Sequence, residues 1–352
     1  MSTGTYRAIL PAPLLAPRRP LLVDRFSRTF TYMRVAVTDR CQLRCIYCMP
    51  ESGIEFTPSD RLLSEAEILR VVRVAASLGV TKVRFTGGEP LLRRDIAGLL
   101  RGAARTPGIR SVNLTTNGLL LKDRALELLQ AGLTGVNISL DTLDEAKFVK
   151  MTRREGVGQV LAGLEAALAS GIPNVKLNVV ALQGFNDSEL GDFGLLTRDA
   201  PITVRMIELM PFDAHQIWKT GRHMHAEKIK AVLDGLYPEL ESAVGTATEE
   251  HIFRIPGHLG KLAIIPAYTR SLCGSCNRIR LTADGSIRNC LYSDDEYDLR
   301  SRMRAGAADE ELANLLKGAM LNKHGDGWAA QKASLVAGPG TQHRDSMTQI
   351  GG

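Results

Sequence analysis

The chain has 352 residues, 44% of them hydrophobic, 23% charged and 5% aromatic, with a formal net charge of +6. That length can bury a barrel-sized core plus an extension, and the composition excludes a disordered or low-complexity chain. The modest positive balance permits an anionic ligand. With so few aromatics it does not indicate a nucleic-acid surface, and no apolar run reaches the roughly 18 residues of a membrane span.

Residues 1–27 open with MSTGTYRAILPAPLLAPRRP, which is Pro-rich and lacks the apolar core of a signal peptide. They read as a flexible lead-in to a cytoplasmic protein. Residues 28–212 alternate β-rich and helical patterns. The candidate strands are RVAVT from Arg34, TKVRFT from Thr81, SVNLTTN from Ser111, GVNISLD from Gly135, NVKLNVV from Asn174 and TVRMIEL from Thr203. Helical stretches are expected over Ser64–Ser77, Arg93–Ala104, Lys122–Ala131 and Val157–Ser170. Ser64 with Glu67 forms a capping box, and Gly132 and Gly171 are stops. Strand–helix alternation implies a parallel sheet with helices outside. About six units are visible, short of the eight of a closed barrel, so the expectation is an α/β fold with an incomplete (β/α)6 TIM-type barrel. Residues 213–345 read as a C-terminal extension that begins with a loop and one helix and continues through the short strands HIFRI and KLAIIPA; 346–352 read as a flexible tail ending in Gly-Gly.

The six cysteines form two triads. Cys41, Cys45 and Cys48 give Cys-x-x-x-Cys-x-x-Cys directly after the first strand. Three thiolates can hold three corners of a cubic iron–sulfur cluster and leave the fourth iron open, the arrangement of a metal that does chemistry. Cys273, Cys276 and Cys290 form the second triad, and the extension is expected to carry a second site there. For either triad the alternative is zinc completed by a His or Asp, and for the second, taken alone, zinc is a common outcome of such spacing. Disulfides are the weakest reading of thiols so closely spaced in a chain with no sign of export.

Gly87-Gly88-Glu89-Pro90 lies between a strand and a helix. The glycines let a ligand approach the backbone, their N–H groups can serve a polar ligand, and Glu89 offers an acceptor to an ammonium group. The alternative is a tight strand–helix turn with a capping carboxylate. Arg34, Arg84 and Lys176 are cations among apolar strand neighbours. On an inner face they are costly unless they meet an anion, and together with Arg278 and Arg280 they outline a site for phosphate oxygens. For any one of them a salt bridge or an outward-facing side chain serves equally. His215, His223 and His225, the Arg153–Glu155 run and the Arg300–Arg304 run read as solvated surface.

The first triad followed by Gly-Gly-Glu-Pro resembles the radical S-adenosylmethionine superfamily. The segments YMRVAVTDRCQLRCIYCMP, VRFTGGEPLLRRD, LTTNGLLL, NISLDTLD, VKLNVV and RMIELMPF occur in order, followed by the second triad, Asn277-Arg278-Ile279-Arg280 and Gly351-Gly352. From Phe30 to Gly352 this resembles the GTP 3′,8-cyclase branch of that superfamily. The resemblance implies two [4Fe-4S] clusters, S-adenosylmethionine, GTP with Mg2+, an electron donor and a downstream pterin-processing enzyme, in a monomer or homodimer. It implies that Cys41, Cys45 and Cys48 hold the first cluster, and that Tyr47, Gly88, Glu89, Ser139 and Met210 line the cofactor site. It further implies that Arg34, Arg84, Thr115, Lys176, Arg278, Ile279 and Arg280 contact GTP, and that Cys273, Cys276 and Cys290 hold the second cluster. The tail is expected to reach the active site through Gly351, where a residue without Cβ suits a close approach. Another superfamily member with an auxiliary cluster, such as a peptide-modifying enzyme, and a zinc-stabilised nucleic-acid-binding module are the rival readings.

Overall fold

The computed structural model describes residues 21–210, 222–243, 250–336, 344 and 346–351. Six strands follow one another in chain and in space: β1 (Tyr32–Ala36), β2 (Lys82–Thr86), β3 (Ser111–Thr116), β4 (Gly135–Ser139), β5 (Asn174–Ala181) and β6 (Thr203–Glu208), all parallel. Between them run α1 (Glu65–Ser77), α2 (Ile96–Ala104), α3 (Ala125–Gln130), α4 (Glu145–Thr152), α5 (Val157–Ala169) and α6 (Leu190–Asp199). The expected capping box starts α1: Ser64 Oγ accepts from Glu67 N at 3.2 Å, and Glu67 Oε2 accepts from Ser64 N at 2.8 Å.

The strands alternate strictly, and this positions the site. Met33, Val35, Val83, Phe85, Leu114, Ile138, Leu177, Val179, Val204 and Met206 are buried in the apolar core. Their neighbours on the other face, among them Arg34, Thr115, Ser139, Asn178 and Arg205, line a cavity instead. Period-2 alternation thus gives each strand one greasy and one polar face.

The extension contains α7 (Ala226–Leu236), β7 (Glu241–Ala243), β8 (His251–Arg254), β9 (Lys261–Ile265), β10 (Arg278–Leu281), β11 (Ser286–Arg288), β12 (Glu296–Asp298), α8 (Leu299–Arg304), α9 (Asp309–Leu321) and α10 (Gly327–Val336). Its strands join the same sheet at both edges: β9 pairs parallel with β6, and β10 pairs parallel with β1, aligning Arg34 with Arg280. The sheet order is β12-β11-β10-β1-β2-β3-β4-β5-β6-β9-β8-β7. The extension therefore lengthens the six-strand parallel run to eight strands before the antiparallel edges begin.

One boundary needs correction. Residues 21–27, expected to belong to the flexible lead-in, are fixed instead: Leu22 is buried and its N–H donates to Leu78 O at 3.0 Å. Asp24 pairs with Arg28 at 2.6 Å, and Arg28 Nη1 donates to Cys273 O at 3.1 Å and Gly325 O at 2.7 Å. An apolar side chain and a buried ion pair hold this segment to the second triad. Residues 1–20 lie outside the described residues. Among the described residues no helix is long and apolar enough to cross a membrane.

Candidate active site

A cavity of about 310 Å³ opens at the ends of the parallel strands, and all six cysteines line it. The loop carrying the first triad leaves β1 and is fixed to the end of α4, where Arg44 N donates to Thr152 O and Ile46 N to Met151 O, both at 2.9 Å. Inside the loop Cys48 N donates to Cys45 O at 2.9 Å, and Asn117 Nδ2 points at Cys41 Sγ at 3.7 Å. Burial, then the Glu89 carboxylate, pushes Cys41 up to about 11; burial also raises Cys45 and takes Cys48 up to about 12. As bare thiolates these groups would repel one another in a low-dielectric pocket, so the site calls for positive charge among them. Tyr47 donates its hydroxyl to Asp141 Oδ2 at 2.7 Å, and Asp141 Oδ1 accepts Val180 N at 2.8 Å. Burial lifts Asp141 to about 6 and, with Asp141 alongside, raises the Tyr47 phenol well above its ordinary value.

Gly87, Gly88 and Glu89 line the cavity, but the N–H groups of Gly88 and Glu89 are already engaged. Gly88 N donates to Thr38 O at 2.7 Å and Glu89 N to Arg40 O at 2.8 Å. A Cβ on Gly87 would stand 2.1 Å from Thr38 O, and one on Gly88 2.2 Å from Arg40 O. The glycines serve close packing of two loops here, and the Gly88 N–H, expected to serve a ligand, is spent on Thr38. Glu89, 1% exposed, accepts from Leu91 N at 2.9 Å, Thr116 Oγ1 at 2.8 Å and Asn117 N at 2.7 Å, bracing the ends of β2 and β3. Ser139 and Met210 line the cavity as well.

The second triad stands across the cavity. Cys273 and Cys276 flank the short turn Cys273–Ser275, and Cys290 follows β11. Burial raises Cys273. Burial opposes ionisation of Cys276 too, but the charges of Arg278 and Lys323 outweigh it and bring that thiol down to about 6. Lys323 is buried and bonds Asn289 O. Among the described residues no three His, Cys, Asp or Glu side chains are arranged to hold one metal ion.

The predicted cations divide. Arg34, Arg278, Arg280 and Thr115 line the cavity. Arg84 is buried below it, donating to Tyr32 Oη at 2.6 Å, Leu114 O at 3.2 Å and Thr115 Oγ1 at 3.4 Å. Lys176 bonds Glu250 at 2.6 Å and borders a smaller pocket of about 130 Å³ at the strand starts, beside Lys261. Ile279 is corrected: alternation along β10 turns it into the apolar core, away from the Arg278 and Arg280 side. Burial, with Arg34 and Arg278 adjacent, pulls Arg280 down to about 9, the mark of a cation crowded by like charge.

The tail enters this site. Ser346 Oγ donates to Cys48 O at 2.7 Å, and Met347 and Thr348 line the cavity. Gly351 O accepts from Arg34 Nε at 3.1 Å and Arg280 Nη1 at 2.9 Å. The flexible-tail assignment is therefore corrected for 346–351, which pack between the triad loop and the cations. Gly351 has φ +78, while a Cβ there would meet only ordinary contacts at 3.7 Å and beyond. Its left-handed backbone, not lack of room, is what favours glycine. Gly352 lies outside the described residues.

Arg205 was missed. It lines the cavity, donates Nε and Nη2 to Asn178 Oδ1 at 2.8 and 2.6 Å, and pairs with Glu250 at 3.1 Å. It sits in TVRMIEL, the same cation-among-apolars pattern that singled out Arg34, so the signal was present. Asn117, Arg270 and Lys323 carried no comparable signal. His215 lies outside the described residues. His223 and His225 are half-buried and meet edge to face with centroids 4.8 Å apart, and His225 lies tilted against Tyr268 with centroids 5.3 Å apart. Arg153, counted as surface, is half-buried and donates to Arg44 O at 2.8 Å, bracing the first triad loop.

Residues 35–196 match the model of the Radical SAM superfamily, and residues 202–327 match Molybdenum Cofactor Synthesis C. The chain is 45% identical to the GTP 3′,8-cyclase of Chlorobaculum tepidum, over 94% of this chain and 97% of that one. It is 42% identical to the GTP 3′,8-cyclase of Moorella thermoacetica, over 94% and 99%. Among solved structures it is similar in fold to Streptococcus suis SuiB bound to S-adenosylmethionine, with a TM-score of 0.58 at 16% identity over 84% of this chain and 69% of that one.

Proposed function

The chain belongs to the GTP 3′,8-cyclase family of the radical S-adenosylmethionine superfamily, and from that premise we propose how its residues divide the work. The reaction is closure of C3′ of the GTP ribose onto C8 of guanine, giving (8S)-3′,8-cyclo-7,8-dihydroguanosine 5′-triphosphate, the first step of molybdenum cofactor biosynthesis. The observation that carries the reading is the single cavity lined by both cysteine triads and by Arg34, Arg205, Arg278 and Arg280.

Cys41, Cys45 and Cys48 would hold the [4Fe-4S] cluster, and Cys273, Cys276 and Cys290 a second one. The donor sets fit such groups. A cubic cluster takes one thiolate on each of three irons, which three cysteines lining one cavity can supply. When bound and reduced, the first cluster with S-adenosylmethionine supplies a carbon radical able to take hydrogen from the ribose.

The remaining work falls to the chain. Tyr47, tied to Asp141, and Asn117, aimed at Cys41, fix the triad loop. Ser139 and Met210 contribute cavity wall to the cofactor, and Glu89 holds the strand ends that flank it. Arg34, Arg205, Arg278 and Arg280 take the triphosphate, with Thr115, Arg84 and Lys176 behind them. Buried guanidinium groups crowded together are stabilised by an anion, and their planar forks suit phosphate. The tail covers the cavity between the first triad and Arg280, which keeps water from the reacting carbon. We read β1–β6 and their helices as a partial barrel wrapped around this cavity, residues 213–345 as the extension that bears the second cluster, and Mg2+ as the companion of the triphosphate. A one-electron donor and a pterin-forming enzyme would act before and after it.

The test is anaerobic turnover of reconstituted protein with dithionite, S-adenosylmethionine and each nucleoside triphosphate in turn. GTP alone is expected to give both 5′-deoxyadenosine and a cyclised product by mass spectrometry. Deoxyadenosine with every nucleotide and cyclised product with none would overturn the GTP assignment while leaving the first cluster in place.

A further inference from the structure

Arg270 occupies the second-triad end of the cavity in a setting that neither the thiols nor the phosphate-facing cations explain. It is 5% exposed, and its φ of +56 places it in the left-handed region, uncommon for a residue with a side chain. Its guanidinium carbon lies 3.7 Å from the Tyr292 ring centroid and 3.9 Å from that of Trp328. Nη2 donates to Gln331 Oε1 at 2.7 Å, which fixes the plane within this aromatic clamp. Nε and Nη1 are buried with no hydrogen-bond partner among the described residues. The clamp closes because residue 327 is glycine: a Cβ there would stand 2.6 Å from Tyr292 Cδ2 and 2.9 Å from Arg270 Cδ. The Arg270 carbonyl accepts the N–H of Cys273 at 3.0 Å, so clamp and thiol ligand are joined through the backbone.

Two unmet donors on a buried cation are destabilising in isolation, and aromatic faces answer only part of the charge. Arg270 lines the same cavity as Cys273, Cys276 and Cys290, and sulfur carrying negative charge there would complement the two donors. Hydrogen bonds and fixed charge next to cluster sulfur set a cluster's reduction potential. We propose that Arg270 is a positioning residue for an iron–sulfur cluster at Cys273, Cys276 and Cys290, its clamped charge and its Nε–H and Nη1–H serving cluster sulfur and raising the potential of that cluster. The inference rests on the two-cluster reading above.

The test is a potentiometric titration followed by electron paramagnetic resonance on the full-length reconstituted protein. The second cluster is identified as the signal that survives when Cys41, Cys45 and Cys48 are all changed to Ala. Arg270→Gln is expected to lower its midpoint by about 59 mV, a tenfold change in the reduced-to-oxidised ratio for one electron. Arg270→Lys, which faces the same backbone strain but keeps the charge, should recover most of that shift. Gly327→Ala, which opens the clamp and leaves Arg270 intact, should move the midpoint the same way by less. Loss of iron from Arg270→Gln but not from Arg270→Lys would also support the role. Equal midpoints in the three proteins with Arg, Gln and Lys at position 270, or equal iron loss in both substitutions, would overturn it. A parent protein in which no signal survives removal of the first triad would instead overturn the two-cluster reading.

Discussion

The two cysteine triads use the same three donors in different electrostatic settings. Around the first, burial raises all three thiols, taking Cys41 to about 11 with the Glu89 carboxylate adding to it and Cys48 to about 12 with Cys41 adding to it, while Asp141 adds to the rise at Cys45. Around the second, Arg278 and Lys323 override burial and bring Cys276 to about 6. A site surrounded by negative charge favours the oxidised, more positive form of whatever it holds and so suits a strong reductant. A site surrounded by cations favours the reduced form and draws anionic ligands towards it. On the function proposed above, electron delivery falls to the first triad and substrate holding to the second, though spacing alone presents both as metal sites. The largest effects should come from breaking one and not the other. Cys45→Ala is expected to abolish 5′-deoxyadenosine formation altogether. Cys276→Ala should leave S-adenosylmethionine cleavage measurable and remove only the cyclised product. Identical loss of both products in the two variants would erase the distinction.

In the cavity that both triads line, Gly351 O accepts from Arg34 and Arg280. Removing residues 351 and 352 leaves two crowded guanidinium groups without that acceptor. The expected loss of cyclised product is roughly 10²-fold, the scale of losing one aligned electrostatic contact in a buried site. Deoxyadenosine formation should fall far less. Gly351→Ala is a milder probe. The space accepts a Cβ but the φ of +78 does not suit one, so it should cost on the order of 1–2 kcal/mol locally and less than tenfold in product. If truncation and Gly351→Ala behave alike, the tail acts through its conformation and not through its carbonyl.

Much of this was legible in advance for physical reasons that can be named. Strands β1–β6 announce themselves because each alternates a helix-facing apolar residue with a cavity-facing polar one, and the capping box of α1 is a local pattern. The cysteines were found by spacing, which is also local. What escaped depends on partners distant in the chain. The pairing of β10 with β1 joins residues such as Arg34 and Arg280, and no local pattern signals it. The engagement of Lys176 with Glu250 spans 74 positions. Ile279 was grouped with its arginine neighbours although period-2 alternation, applied to β10 as to the others, turns it into the core. Arg205 fits the argument that selected Arg34 and was passed over. Arg270 gave no warning, since an arginine with a left-handed backbone is visible only in three dimensions.

An effect on stability, with no readout in product, is the sharpest test of the negative setting around the first triad. Burial pushes Glu89 from its ordinary 4.5 to about 7, even though Asn117 N–H, Leu91 N–H and the Thr116 hydroxyl all favour its ionised form. Between those two values the folded chain holds the proton and the unfolded chain releases it. The contribution of Glu89 is therefore fully present below about 4.5 and is lost as pH rises through about 7, amounting to about 3 kcal/mol across the window. Asp141, raised from 3.8 to about 6, acts in the same direction over a lower range. Glu89→Gln removes the titration and keeps most of the shape. In iron-free, reduced full-length protein, the fall in unfolding free energy from pH 5 to pH 8 should be smaller in Glu89→Gln than in the parent, leaving Asp141 as the shared background. A fall of equal size in both proteins would mean that the three hydrogen bonds outweigh burial, that Glu89 is ionised throughout, and that the field at the first triad is more negative still.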